Sequence, residues 1–205
     1  MPEVLAWLKG GPEPRTIVDA VFSKERLLSL RTRGSAAYKG IYALLLREGA
    51  RDLRTGQPSN FANYFDERID IHHIFPQHWC QQNNVPPSLC DSIVNKTPLT
   101  ARTNRVIGGY APSNYVSRVQ NSAEIAADQL DAHLRTHLVD PALLRADNFT
   151  AFFEQRQSDL LQRISDAMGK PIEAPLIGEP EEIVSDYEID EDATFERENL
   201  ELVRD

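Results

Sequence analysis

The run Asp70-Ile71-His72-His73-Ile74-Phe75-Pro76 sets two imidazoles side by side before a proline, and asparagines follow at positions 95 and 104. A neutral histidine ionises near neutral pH, so it can take a proton from water. Imidazole nitrogen and amide oxygen both ligate divalent cations, and an incomplete protein shell leaves positions for water and phosphate oxygens. Phosphodiester hydrolysis needs a deprotonated water, an in-line approach and a neutralised leaving oxygen. The pattern therefore points to a metal-dependent nuclease. Neighbouring side chains of a regular strand point to opposite faces. The strand is thus expected to bend or end at the histidine pair, and Pro76 is a suitable stop. In that arrangement His72 meets the metal and His73 meets the water. Asn104 reaches the same metal from a later helix, and Asn95 braces the turn or orients the His73 ring. Asp70 is placed to act as a carboxylate behind a histidine.

These residues need a frame. Residues 68–72 are short and β-tolerant, and Ser92-Ile93-Val94-Asn95 reads as a strand turning into Lys96-Thr97-Pro98. Thr100 can cap a short helix that carries Asn104 and stops at Gly108-Gly109. Around this unit the apolar spacing is helical. Ser35 caps a helix over 36–48 with Ile41, Leu44 and Leu45 buried and Gly49 as its stop. The rhythm of residues 17–30 predicts another helix, and so does that of 122–138. Further helices start after Pro112 and at Asn148, the latter closed by Gly169 and Pro171. Residues 1–15 read as a loose leader, 56–60 and 83–91 as loops, and 77–82 as a helical turn. The expected fold is mainly α with a small β element: an N-terminal leader and helix over 1–30, a body over 31–170 and a tail over 171–205.

Charge separates body from tail. The net charge is −9 over 205 residues. Thirteen acidic and two basic residues lie from Pro171 onward, so the remainder holds 18 acidic and 20 basic residues. The body is mildly basic, and the tail is expected to be a solvated terminus. Lys96, Arg102, Arg105 and Arg118 flank the proposed site in sequence and are candidate contacts to a nucleic-acid backbone. No apolar run approaches membrane-spanning length. Cys80 and Cys90 are the only cysteines, too few for a disulfide framework. The expectation is a cytoplasmic protein with reduced thiols. His78 is placed to join those thiols in a zinc site. His133 and His137, at i and i+4, read as structural histidines.

Four ordered blocks carry a resemblance: His72-His73-Ile74-Phe75-Pro76, residues 94–100 (VNKTPLT), residues 103–108 (TNRVIG) and residues 112–115 (PSNY). Together with residues 35–46 (SAAYKGIYALLL) and 49–53 (GARDL), they resemble the HNH (ββα-metal) nuclease domain of GmrSD-like proteins over roughly residues 30–120. The resemblance implies a ββα-metal core embedded in a helical domain, DNA as substrate and one divalent ion, Mg²⁺ or Mn²⁺, with Zn²⁺ or Ni²⁺ as possible crystallographic substitutes. It makes His73 the general base, His72 and Asn104 the metal ligands, and Asn95 the central asparagine. Asn104 stands where many nucleases of this wider class have histidine. The resemblance also implies a partner, an N-terminal ParB-like sensor domain or separate sensor subunit, and a role in restriction of modified phage DNA. Two other readings fit the same residues: a non-catalytic, metal-stabilised module that binds DNA or a partner, and a nuclease directed at RNA.

Overall fold

Short helices broken by prolines and glycines carry most of this chain, and one antiparallel pair of strands interrupts them. The computed structural model describes residues 2–31, 34–58 and 69–172. The elements are α1 (Pro2–Trp7), α2 (Arg15–Val18), α3 (Lys24–Ser29), α4 (Ala36–Arg47), β1 (Ile69–His73), α5 (Gln77–Gln82), α6 (Pro87–Cys90), a 3₁₀ turn (Ile93–Asn95), β2 (Lys96–Thr100), α7 (Ala101–Ile107), α8 (Pro112–Ala123), α9 (Ala127–Arg135), α10 (Pro141–Arg145) and α11 (Phe149–Met168). The expected mainly α protein with a small β element is thus observed. Most of the acidic tail, the end of the 56–60 loop and the start of the 68–72 segment lie outside the described residues.

Capping chemistry set several boundaries where the sequence placed them. The Ser35 hydroxyl accepts from the Tyr38 N–H at 3.1 Å, Thr100 from Thr103 at 3.2 Å, and Asn148 from Ala151 at 3.2 Å. Gly108, at φ 53°, ends α7 in a conformation that side chains resist. Other boundaries differ. The leader contains α1, and residues 17–30 split into α2 and α3 because Ser23 caps a new helix start. Residues 83–91 include α6, started by Pro87. Residues 92–95 form a 3₁₀ turn rather than a strand, and β2 begins at Lys96. The 122–138 segment breaks at Glu124, which sits in the left-handed region, so His137 lies beyond the end of α9.

The strands pair antiparallel, with His72 opposite Thr97 and His73 opposite Lys96. Pro98 is tolerated in β2 because each strand of a two-stranded sheet is an edge. Thr100 ends β2 and caps α7 at once, so β2 runs directly into the helix, which packs on both strands. This unit packs on an aromatic cluster. Phe75 is fully buried, with its ring 4.9 Å from Trp79, 5.2 Å from Phe149 and 4.9 Å from Phe152, centroid to centroid. Each such ring buries enough apolar surface to contribute a few kcal/mol. The turn after His73 is thereby anchored to α11.

Candidate functional site

Asn95 ties the two strand ends together. Its Oδ1 accepts from the Phe75 N–H at 2.9 Å, and its Nδ2 donates to the Phe75 and Cys90 carbonyls, each at 2.9 Å. The side chain is wholly buried. A buried amide that satisfies three backbone groups fixes their relative positions, since freeing any of them inside the protein costs about 1–3 kcal/mol. Tyr115 adds a fourth tie, donating its hydroxyl to the Ile74 carbonyl at 2.9 Å. Of the two roles expected for Asn95, bracing the turn is the one observed. The His73 end of β1 is consequently held beside the Cys90–Asp91 turn.

The chemistry gathers at that junction. The His73 side chain is fully buried, and its Nε2 lies 3.3 Å from Asp91 Oδ1. Gln77 Nε2 donates to the same oxygen at 3.1 Å. Burial pushes the Asp91 carboxyl up, but the bond and charge from His73, the Lys96 charge and the Gln77 bond outweigh it, leaving the carboxyl below its ordinary range. Asp91 is therefore a carboxylate, which only accepts hydrogen bonds. The Asp91 contact favours the Nε2–H tautomer of a neutral His73. Cys90 is also here. The Cys80 thiol beside it, and burial, push its pKa well up, so it is a neutral thiol. The His73, Cys90 and Asp91 ligand atoms lie within 4.8 Å of one another, and this group can hold a metal ion.

The remaining expected site residues are distributed differently. β1 is paired with β2 through His73, its last residue, and both histidines are buried. Of the two outcomes expected at the pair, a bend or an end, the strand ends there. Asn104 lies on α7, which packs against both strands. It is 5% exposed. Lys96 is 2% exposed and donates its ammonium to the Arg31 carbonyl at 3.0 Å, an inward-facing position rather than a surface one. Arg102, Arg105 and Arg118, by contrast, are exposed and line one open hollow of about 670 Å³ with Val106, Asn121 and Ser122. The Arg118 guanidinium lies 4.1 Å from the centre of the Tyr110 ring, a cation–π contact that limits its rotamers. The Asp70 side chain falls outside the described residues.

The other histidines are accounted for. His78 Nε2 meets the Gln82 amide at 3.2 Å and stands apart from the His73–Cys90–Asp91 group. His133 Nδ1 lies 3.0 Å from the Leu53 carbonyl. His137 is buried between the Arg51 carbonyl, 2.6 Å from Nε2, and the Thr97 hydroxyl, 2.7 Å from Nδ1. Burial lowers its pKa to about 4, so it is neutral. Two further residues matter that the sequence does not mark. Asp91 follows Cys90 in what reads as a polar loop, and nothing about that loop distinguishes it. Arg156 is wholly buried on α11, donating to the His137 carbonyl at 3.0 Å and the Ile93 carbonyl at 3.3 Å, as well as to Val94. Burial lowers its pKa to about 9. It pins the 3₁₀ turn that carries Asn95. Its polarity within an otherwise amphipathic helix was the available signal.

No protein-family model matches the chain, and no solved structure matches it. An uncharacterized protein of the archaeon Methanocaldococcus jannaschii is similar to it, 24% identical over an alignment of 188 positions that covers 79% of this chain. That alignment takes in 32% of the archaeal protein, so the chain spans about a third of the length of this relative. No helix among the described residues is long and apolar enough to cross a membrane.

Proposed function

We propose that this chain is a metal-dependent endonuclease of the HNH (ββα-metal) type that hydrolyses DNA phosphodiester bonds. One observation carries the reading: an antiparallel strand pair and the helix that follows it and packs on it present a carboxylate-paired histidine at the end of the first strand. In this reading His73 Nδ1 accepts the proton of the attacking water, and Asp91 stabilises the imidazolium that results. Asn95 acts on the turn rather than on substrate. Arg102, Arg105 and Arg118 hold phosphates of the bound strand in their shared hollow, with Arg118 kept in place by Tyr110.

His72 and Asn104 would hold the divalent ion, Mg²⁺ or Mn²⁺. The fit rests on donor chemistry: an imidazole nitrogen and an amide oxygen both accept such an ion, and Asn104, 5% exposed, stands on the helix that packs against both strands. When bound, the ion supplies charge neutralisation at the leaving oxygen. A role in defence against phage DNA and a sensor domain or subunit as partner follow from the family resemblance and belong to the same proposal. The relative's greater length is compatible with additional domains beside this one.

The test is plasmid cleavage in Mg²⁺ or Mn²⁺ by wild type, His73→Ala and His73→Gln, each checked for folding by circular dichroism. Loss of the base is expected to reduce the rate by roughly 10²–10⁴-fold. Undiminished cutting by a folded variant would end the reading. A matched RNA substrate in the same assay separates the two nucleic acids.

A further inference from the structure

We propose that His73, Cys90 and Asp91 form a binding site for a thiophilic divalent cation, zinc in the first place, distinct from the magnesium or manganese ion of the nuclease reading. The donors are an imidazole nitrogen, a thiol sulfur and a carboxylate oxygen, the set that zinc accepts and that magnesium, with its demand for oxygen, does not. All three ligand atoms already stand within 4.8 Å of one another.

The spacing inside the group is more telling. His73 Nε2 and Asp91 Oδ1 are 3.3 Å apart. A charge-assisted hydrogen bond closes to about 2.7–2.9 Å. Two ligands on one tetrahedral zinc, at bond lengths near 2.0–2.3 Å, stand about 3.3–3.6 Å apart. At 3.3 Å the hydrogen-bonded pair already stands at a separation two ligands of one ion adopt, so binding needs little movement of either side chain. Supports behind the ligands are present as well. Gln77 Nε2 orients the Asp91 carboxylate at 3.1 Å, and Asn95 holds the Cys90 carbonyl at 2.9 Å, which fixes the backbone that carries Cys90 and Asp91. The three donors leave a fourth tetrahedral position for water. As sulfur binds, the Cys90 thiol releases its proton to solvent and no electron is transferred.

Occupancy has a consequence for catalysis, and this consequence alone rests on the nuclease reading. Zinc takes the lone pair of His73 Nε2, so the imidazole proton resides on Nδ1. The nitrogen assigned to the water then has no lone pair to offer. Zinc at this site is an inhibitor, even with magnesium present.

Cobalt(II), a spectroscopic stand-in for zinc, tests the site directly. Added to the full chain after chelation and reduction, one equivalent is expected to give a thiolate-to-cobalt charge-transfer band with tetrahedral visible bands, and zinc should displace it. Cys90→Ala should remove the charge-transfer band. Asp91→Ala, a change at a partly exposed side chain, should weaken binding at least tenfold, and it keeps the test decisive if the cysteine variant fails to fold. His78→Ala should bind as wild type does. Absence of the bands in wild type, full affinity in Asp91→Ala, or loss of binding in His78→Ala would each overturn the proposal. Because the readout is metal binding, a chain that cuts no DNA leaves the result intact.

Discussion

His73 and His137 are both buried and both held by short polar contacts, yet their surroundings give them opposite characters. His137 sits between a carbonyl and a hydroxyl, with no carboxylate bonded to it, and burial keeps it neutral. It joins the Arg51 segment to β2 and does nothing a well-placed amide would not do. His73 faces a carboxylate, adjoins the Cys90 thiol and ends a strand rather than filling a gap between segments. Burial alone therefore does not set the character of a histidine. The distinguishing feature is a charged or metal-ligating neighbour on a rigid turn.

The contrast can be broken at its strongest point by removing the clasp. Asn95→Ala strands the Phe75 N–H and two carbonyls in the interior and is expected to cost about 4 kcal/mol, read as a lowered urea midpoint. His137→Gln should cost less, because the amide can still bridge carbonyl and hydroxyl. If both variants were equally stable, the turn would not owe its geometry to Asn95.

pH sharpens the comparison from the other side. His137 has a folded pKa of about 4, below its ordinary value of 6.5. Between those values the unfolded chain binds a proton that the folded chain does not. The contribution is thus fully present above pH 6.5 and is lost as pH falls toward 4, by about 3 kcal/mol in total. Urea unfolding at about pH 7 and about pH 4.5 measures it, and His137→Gln should flatten the difference. An unchanged slope in that variant would move the pH sensitivity elsewhere. Asp91 and Asp52, both held below the ordinary carboxylate range, add their own losses at lower pH still.

The smallest effects belong to the arginine hollow, which touches neither histidine. Replacing Arg102, Arg105 or Arg118 by Ala should weaken DNA binding severalfold at low salt. The slope of log affinity against log salt should become shallower by about 0.9 for each phosphate that is no longer neutralised. Folding stability should stay within about 0.5 kcal/mol for the exposed Arg102 and Arg105. A slope that stays constant in all three variants would remove the hollow from the DNA interface.

Much of the frame was legible in the chain because it is local. Caps act over three residues, so Ser35, Thr100 and Asn148 announced their helices. The breaks at Ser23 and Glu124 were harder, because an apolar rhythm continues across them. Lys96 reads as a surface cation for a different reason: its partner is the Arg31 carbonyl, 65 residues away in sequence, and nothing local signals that it turns inward.

The order of chemical groups along the chain, two histidines, then Asn95, then Asn104, is a property of the sequence alone, as are the cysteine count and the segregation of acid into the tail. Tertiary structure decided which groups meet. Asn95 reaches back 20 residues to Phe75, Asp91 meets a histidine 18 residues before it, and Arg156 reaches carbonyls 62 and 63 residues away. Ionisation, tautomer and ligand geometry depend on distances of a few ångströms. Such distances between residues far apart in the chain exist only once the strands have paired and the aromatic core has closed around Phe75.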